Sequence, residues 1–237
     1  MYIILAVVVV YAAVSYGRFL YVLKSNRLPE IVQQNSEQGS GELLTYVAAG
    51  DSTSVGVGAS DIAHTYTYKV FQRLSEQNKV KYVHVGKSGA RTNNVIEEQL
   101  PKIIEVNPDI ITLSIGANDI THLKSNASIV ENYSIIIERL LAETHAQIYL
   151  TNTPILKDAP LLPWIFRQVL EAKAQVVNRE LLKLENDRVH VVPIHDFGWH
   201  LYPDIKITFA QDQFHPSDIG YENWANAFLT TMNKLHD

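Results

Sequence analysis

The chain has 237 residues, 46% of them hydrophobic and 19% charged, with 11 Gly, 9 Pro and no Cys. That length and apolar share suit one globular domain of ordinary size, or two small ones, and exclude a disordered chain, a collagen-like fibre and a disulfide-stapled miniature. The absence of Cys excludes a thiol nucleophile, iron–sulfur ligation and a Cys-based zinc site; a net charge of −5, from 20 Lys+Arg against 25 Asp+Glu, with no long basic run, argues against a nucleic-acid partner.

Residues 1–17 carry no charged side chain, and the apolar character continues past Arg18 to Lys24. As a helix, residues 2–23 would span about 33 Å at about 1.5 Å per residue. A hydrocarbon core is about 30 Å thick, and Arg18 lies near one end, where its stem can snorkel. Residues 1–24 therefore predict a transmembrane anchor. The alternative is a cleaved signal segment and a secreted protein, although a basic leading stretch is missing and Ala12-Ala13-Val14 is a poor cleavage site. Arg18, Lys24 and Arg27 all follow the span, which favours a cytoplasmic domain by the positive-inside rule. The polar stretch 25–42 reads as a linker, and the main globular domain is expected over 43–237.

Within that domain five β-rich runs, 43–49, 81–85, 109–115, 147–153 and 188–194, are each bounded by Gly, Pro, Asn or Asp. Several are continuous apolar runs, as strands buried on both faces require. Helical patterns fill the gaps at 61–78, 93–106, 127–145, 164–186 and 217–235. Strict alternation predicts βαβ crossovers and a five-stranded parallel sheet covered on both faces, an α/β fold. The strand ends carry Gly50-Asp51-Ser52-Thr53, Gly86-Lys87-Ser88-Gly89 and Gly116-Ala117-Asn118-Asp119, and the loop after the fifth strand carries Asp212-Gln213-Phe214-His215. Ligands of open α/β sheets bind at that edge.

A hydroxyl nucleophile needs a base within hydrogen-bond reach and a third group to orient the base. Ser52 is the candidate hydroxyl and His215 the candidate base. Asp212, three residues earlier, is placed for a turn to bring its carboxylate to Nδ1. An acyl-transfer site also needs oxyanion donors; the candidates are the backbone N–H groups of Ser52 and Gly89 and the side-chain amide of Asn118. The stretch 154–166 (PILKDAPLLPWIF) follows the fourth strand, and Leu161, Leu162, Trp164 and Phe166 there either line an acyl pocket or pack the next helix. Asp51 and Asp119 read as loop hydrogen-bonding groups. His195 and His200 lack a matching ligand set, so no metal is expected. Gly86-Lys87-Ser88 lacks the leading glycine of a phosphate loop, and no Gly-x-Ser-x-Gly elbow occurs.

Those four blocks, in this order, resemble the sequence blocks of the GDSL/SGNH hydrolase family. The resemblance implies a three-layer α/β/α sandwich with a flavodoxin-like sheet. It implies Ser52 as nucleophile, Asp212 and His215 as the rest of a triad, Ser52, Gly89 and Asn118 as the oxyanion hole, and no cofactor. Two positions depart from the family pattern: Thr53 stands where Leu is usual, and His84 where Asn is frequent. The expected activity is a serine esterase or lipase acting on a small-molecule ester, a lipid or an acylated glycan. An acyltransferase and a catalytically silent lipid- or glycan-binding module are the alternatives on the same fold. Anchored or exported relatives pull the expected location to the extracytoplasmic face, against the charge rule.

Overall fold

All five apolar runs become strands, and a sixth strand precedes them. The computed structural model describes residues 2–25, 27–197 and 201–234. The sheet contains β1 (Ser36–Gln38), β2 (Leu43–Gly50), β3 (Lys79–His84), β4 (Ile110–Ser114), β5 (Gln147–Thr151) and β6 (Val189–Val192), in the spatial order β1-β3-β2-β4-β5-β6. The five later strands are mutually parallel. Their order is that of the flavodoxin-like doubly wound sheet, with its switch point beside β2. β1 corrects the all-parallel expectation: it pairs antiparallel with β3, Glu37 opposite Lys81. Its three residues are polar and fully outside the core, so no apolar alternation marks it.

The helices are α1 (Tyr2–Ser25), α2 (Ser52–Val55), α3 (Tyr66–Ser75), α4 (Thr92–Asn94), α5 (Leu100–Val106), α6 (Ala117–Thr121), α7 (Asn126–Glu143), α8 (Trp164–Leu181) and α9 (Asp218–Asn233). The pleat of β2 shows how they form two layers. Tyr46 and Ala48 pack with Val70 and Phe71 of α3 and with Tyr221, Trp224 and Phe228 of α9. Val47 and Ala49 pack on the other side with Ile103 of α5, Ile136 and Leu140 of α7, and Leu170 and Val177 of α8. Every one of these side chains is buried, which is why the strand runs read as nearly continuous apolar sequence.

The single helix expected over 93–106 is broken into α4, a π-helical turn at Val95–Gln99 and α5. Pro101 lacks the N–H that would continue the α-helical ladder. The widened turn has a use: the Gln99 side chain accepts from the Gly50 N–H and donates to the Gly50 carbonyl, both at 2.8 Å. A side chain thus serves the backbone at the end of β2.

The N-terminal stretch departs most from expectation. Residues 2–25 are one helix, but among the described residues no helix is long and apolar enough to cross a membrane. The expected membrane span is therefore not supported: Gly17 and Arg18 interrupt the run, and its last turns lie on the domain. Phe19 is 2% exposed, within the α5–α7–α8 core, and Tyr16 Oη donates to the Thr121 carbonyl at 2.8 Å. Burying a Phe ring contributes about 2 kcal/mol, enough to hold the helix end down. The stretch expected as a linker is likewise laid on the domain. Besides β1, Gln33 donates to the Val55 carbonyl at 3.1 Å and accepts from Tyr82 Oη at 2.9 Å, and Asn35 Oδ1 accepts from the His84 N–H at 3.2 Å. Its polar composition serves hydrogen bonds to the domain rather than solvation of a tether.

Candidate active site

β2 delivers the first block to the carboxyl edge of the sheet. Gly50 has φ 132°, and a Cβ there would lie 1.9 Å from the Ser114 carbonyl oxygen on β4, so only glycine lets the two strands meet at this point. Asp51 then caps α2, its Oδ1 accepting from the Thr53 N–H at 2.9 Å and from Thr53 Oγ1 at 2.8 Å. Thr53 Oγ1 also lies 2.8 Å from Ser114 Oγ. Thr in place of the family's Leu thus joins a buried polar network instead of an apolar contact. Ser52 is the first residue of α2, where a backbone N–H has no intrahelical partner. His84 steadies the same turn, donating Nε2–H to the Ser54 carbonyl at 3.0 Å. Burial lowers its pKa to about 4, against the pull of that hydrogen bond, so the ring is neutral.

The fourth block closes on the first. Ala210 donates to the His215 carbonyl at 2.8 Å and Phe209 bridges to Pro216, making a tight loop with Gln213 at φ 61°. Inside it Asp212 Oδ1 accepts the N–H groups of Phe214 and His215, both at 3.0 Å, and Asp212 Oδ2 lies 2.5 Å from His215 Nδ1. His215 Nε2 lies 2.9 Å from Ser52 Oγ. Burial acts to raise the Asp212 carboxyl; the bond to His215, its charge and the two backbone donors outweigh it and leave the pKa below the ordinary range. Asp212 is therefore an ionised partner for the imidazole.

Asp51 and Asp119 behave differently. Burial pushes the Asp51 carboxyl up to about 6, against the two Thr53 bonds and the His215 charge, and the nearby Asp119 raises it further. Burial also raises Asp119, against bonds from the Thr92 N–H and Oγ1, both at 2.9 Å. Neither hydrogen-bonds the His215 ring; Asp51 caps its own turn, and Asp119 ties two segments together. Asp119 joins α6 to the start of α4, which sets Asn118 beside the Gly89 loop. Asn118 Nδ2 donates to the Ala90 carbonyl at 2.9 Å and keeps its second hydrogen for a ligand. Gly89 sits at φ 75° in the turn closed by the Ala90-to-Lys87 bond of 3.0 Å. Ser52, Gly89 and Asn118 all face one cleft beside His215.

Two cavities meet at Ser52. One, of about 50 Å³, is almost wholly apolar and is walled by Ile155, Leu156, Ala159, Ile205, Phe209 and Trp224. The other is an open trough of about 470 Å³ that reaches past Gly89 and Asn118 to the end of α1. Leu161, Leu162, Trp164 and Phe166, the sequence candidates for an acyl pocket, do not line the small cavity. Leu162 and Leu161 pack into the α5–α7–α8 core, Phe166 packs on Tyr16 at 5.4 Å, and Trp164 is 78% exposed. The chain turns away at Pro163 into α8, so the first residues after β5 form the wall instead. Ile205, Thr208 and Phe209 escape sequence reasoning because they lie in and just after a single 3-10 turn, too short to show a periodicity.

The 154–157 wall is itself held in place. Glu171 Oε2, on α8, accepts the N–H groups of Leu156 at 3.1 Å and Lys157 at 3.3 Å, and its other oxygen pairs with His195 Nε2 at 2.7 Å. Burial acts against the Glu171 carboxylate, but the His195 bond prevails and lowers its pKa; the same bond raises His195. His195 thus braces a wall of the cavity. His200 lies outside the described residues.

Comparison with known proteins bears on the fold and the family. No curated protein sequence matches the chain. Among solved structures, a family 3 carbohydrate esterase from Clostridium thermocellum superposes with a TM-score of 0.66 at 18% identity, covering 82% of this chain and 98% of that one. The acetylxylan esterase Axe2 from Geobacillus stearothermophilus gives 0.60 at 19%, covering 82% and 95%. An extracellular lipase from Streptomyces rimosus gives 0.60 at 20%, covering 81% and 99%. At these identities the likeness is one of fold. A family model for the GDSL-like lipase/acylhydrolases matches residues 48–222, from within β2 to within α9 and so across every block described above, and the chain belongs to that family.

Proposed function

We propose that this ester hydrolase works through an acyl-enzyme on Ser52 and that its acyl group is short. Ser52 Oγ attacks the ester carbonyl while its proton passes to His215 Nε2. The oxyanion that develops is met by the N–H groups of Ser52 and Gly89 and the amide of Asn118. Collapse expels the alcohol, which takes the proton back from His215, and a water activated by the same imidazole then frees the acid. Asp212 holds the Nδ1–H tautomer and balances the imidazolium charge. The observation that carries this reading is the position of His215, 2.9 Å from the hydroxyl on one side and 2.5 Å from an ionised carboxylate on the other. A silent binding module would have no use for that relay.

The small apolar cavity supports a short acyl chain. Its 50 Å³ is roughly a third of a cavity of about 150 Å³ that admits benzene, which leaves room for about two carbons. Two of the neighbours are named as carbohydrate and acetylxylan esterases, and a short acyl group is consistent with them. A location outside the cytoplasm belongs to the same proposal; it rests on the family resemblance and on the extracellular Streptomyces neighbour, and a domain that survives protease on intact cells would refute it. The enzymatic test is labelling by a fluorophosphonate followed by 4-nitrophenyl esters of rising chain length. Labelling that Ser52→Ala abolishes, with turnover down on the order of 10³-fold or more and kcat/KM falling beyond propionyl, is the expected result. Wild-type turnover by Ser52→Ala would overturn it.

A further inference from the structure

The trough beside Ser52 has walls of two origins. One wall is catalytic: Ser52, Gly89 and Asn118. The other consists of Leu20, Leu23 and Lys24, in the last turns of α1, and Arg27 and Leu28 just beyond it. These five lie outside the residues 48–222 that the family model matches. Their placement is tied to the catalytic loop. The Phe19 ring meets Phe214 edge-on at 5.9 Å, and Phe214 meets the His215 ring at 5.3 Å and 89°. With the Tyr16 bond to Thr121, this fixes the helix end against both sides of the cleft.

The wall has two chemical characters. The leucines offer apolar surface, while Lys24 and Arg27 are exposed at the rim. No ion pair engages either of them among the described residues. The other titratable groups lining the trough do not cancel both charges. Glu30 is a single exposed carboxylate, Asp212 is taken by His215, and His122 spends its Nδ1–H on the Asn118 carbonyl at 2.8 Å. An ester has an acyl half and an alcohol half. The small apolar cavity suits the acyl half, so the alcohol, which must depart, takes the larger open trough.

Resting on the acyl-enzyme reading above, we propose that the end of α1 and residues 27–28 form the leaving-group subsite, which selects short-chain esters whose alcohol joins an apolar portion to a negative charge. The charge exists in bound substrate and transition state alike, so its effect falls on KM rather than kcat. Lys24 and Arg27 are exposed, so salt screens the preference.

The full-length protein is assayed with two acetyl esters that differ in charge, 4-acetoxybenzoate and methyl 4-acetoxybenzoate, each rate normalised to its alkaline hydrolysis. Replacing both cations (Lys24→Gln with Arg27→Gln) is expected to lower kcat/KM for the anionic ester about tenfold, through KM, with less than about twofold change for the neutral one. About 0.5 M NaCl should remove the wild-type preference. The charge reversal Lys24→Glu with Arg27→Glu should invert it, and an unchanged thermal midpoint checks the fold. Acetate release from acetylated polygalacturonate against 1-palmitoyl-2-acetyl phosphatidic acid then tells a soluble polyanion from a lipid as the source of such an ester. Ser52-dependent hydrolysis with an unaltered preference, or an equal loss on both esters, overturns the subsite and leaves the esterase intact. Absence of Ser52-dependent turnover of any ester overturns both.

Discussion

Asp51 offers a test in which the sign as well as the size follows from the structure. Its carboxyl is buried and caps α2, and that burial pushes it up to about 6 in the fold against 3.8 for a free aspartate. The shift of about 2 pKa units converts, at 1.36 kcal/mol each, to about 3 kcal/mol. A folded-state pKa above the unfolded one means that the folded protein keeps its proton while the unfolded chain has lost it. The contribution is therefore fully present below about pH 4 and is lost as pH rises through about 6. Asp51→Asn removes this titration and keeps an oxygen that accepts from Thr53. Urea unfolding of both proteins between pH 4 and 7.5 should show the variant gaining about 2.4 kcal/mol relative to wild type across the interval, nearly all of it between pH 4 and 6.5. Taking the difference cancels the carboxylates not coupled to Asp51 and any fixed offset from the substitution. Parallel stability profiles, or a variant that weakens relative to wild type as pH rises, would refute the claim that burial dominates this site.

The remaining expectations are kinetic. Asn118→Ala should lower kcat by about 10²–10³-fold with little change in KM, because its donor acts when charge develops on the oxygen; a defect confined to KM would make it a substrate-binding group. Asp212→Asn should cost at least about 10²-fold in kcat, since an amide no longer holds the Nδ1–H tautomer against an ionised acceptor. Asp51→Asn should stay within about tenfold of wild type, as expected for a cap that never meets the imidazole. A fully active Asp212→Asn beside a dead Asp51→Asn would exchange their roles.

The features legible in the sequence were those written in local pattern. Val47 and Ala49 face one helical layer and Tyr46 and Ala48 the other, so β2 appears as unbroken apolar sequence. The glycine-bearing blocks mark places where backbone must approach backbone, as at Gly50 against Ser114. Asp212 and His215 were legible because they lie three positions apart and one turn joins them. The small cavity was not, because Ile155 and Leu156 follow β5 while Ile205 and Phe209 come from a distant loop, and no spacing relates the two. Glu171 was invisible for the same reason: mid-helix, it reads as a surface acid until Leu156, Lys157 and His195 are seen around it. Phe19 sits in an apolar run in which nothing distinguishes the residue that docks from those that do not; Tyr11 and Val14, a few positions earlier, are exposed.

That last contrast bears on how reaction and selectivity divide along the chain. The atoms that would carry acyl transfer come from the start of α2, from the loop before α4, from α6 and from the loop before α9. Side-chain clamps hold these elements together: Gln99 on Gly50, Asp119 on Thr92 and Glu171 on the 154–157 wall. A site held this tightly tolerates little change in the position of Ser52 or His215, because misplacement on the order of 1 Å costs about 10² in rate. The wall made by α1 is under no such demand. It touches the catalytic loop through the Phe19–Phe214 contact alone among ring contacts to that loop in the described residues, and its cations Lys24 and Arg27 are exposed at the open trough. If the proposed subsite is right, substitution at Lys24 or Arg27 should change which alcohol is preferred without moving the nucleophile. Loss of Phe19 has the opposite signature, since the ring beside His215 loses its support and kcat falls for every ester alike.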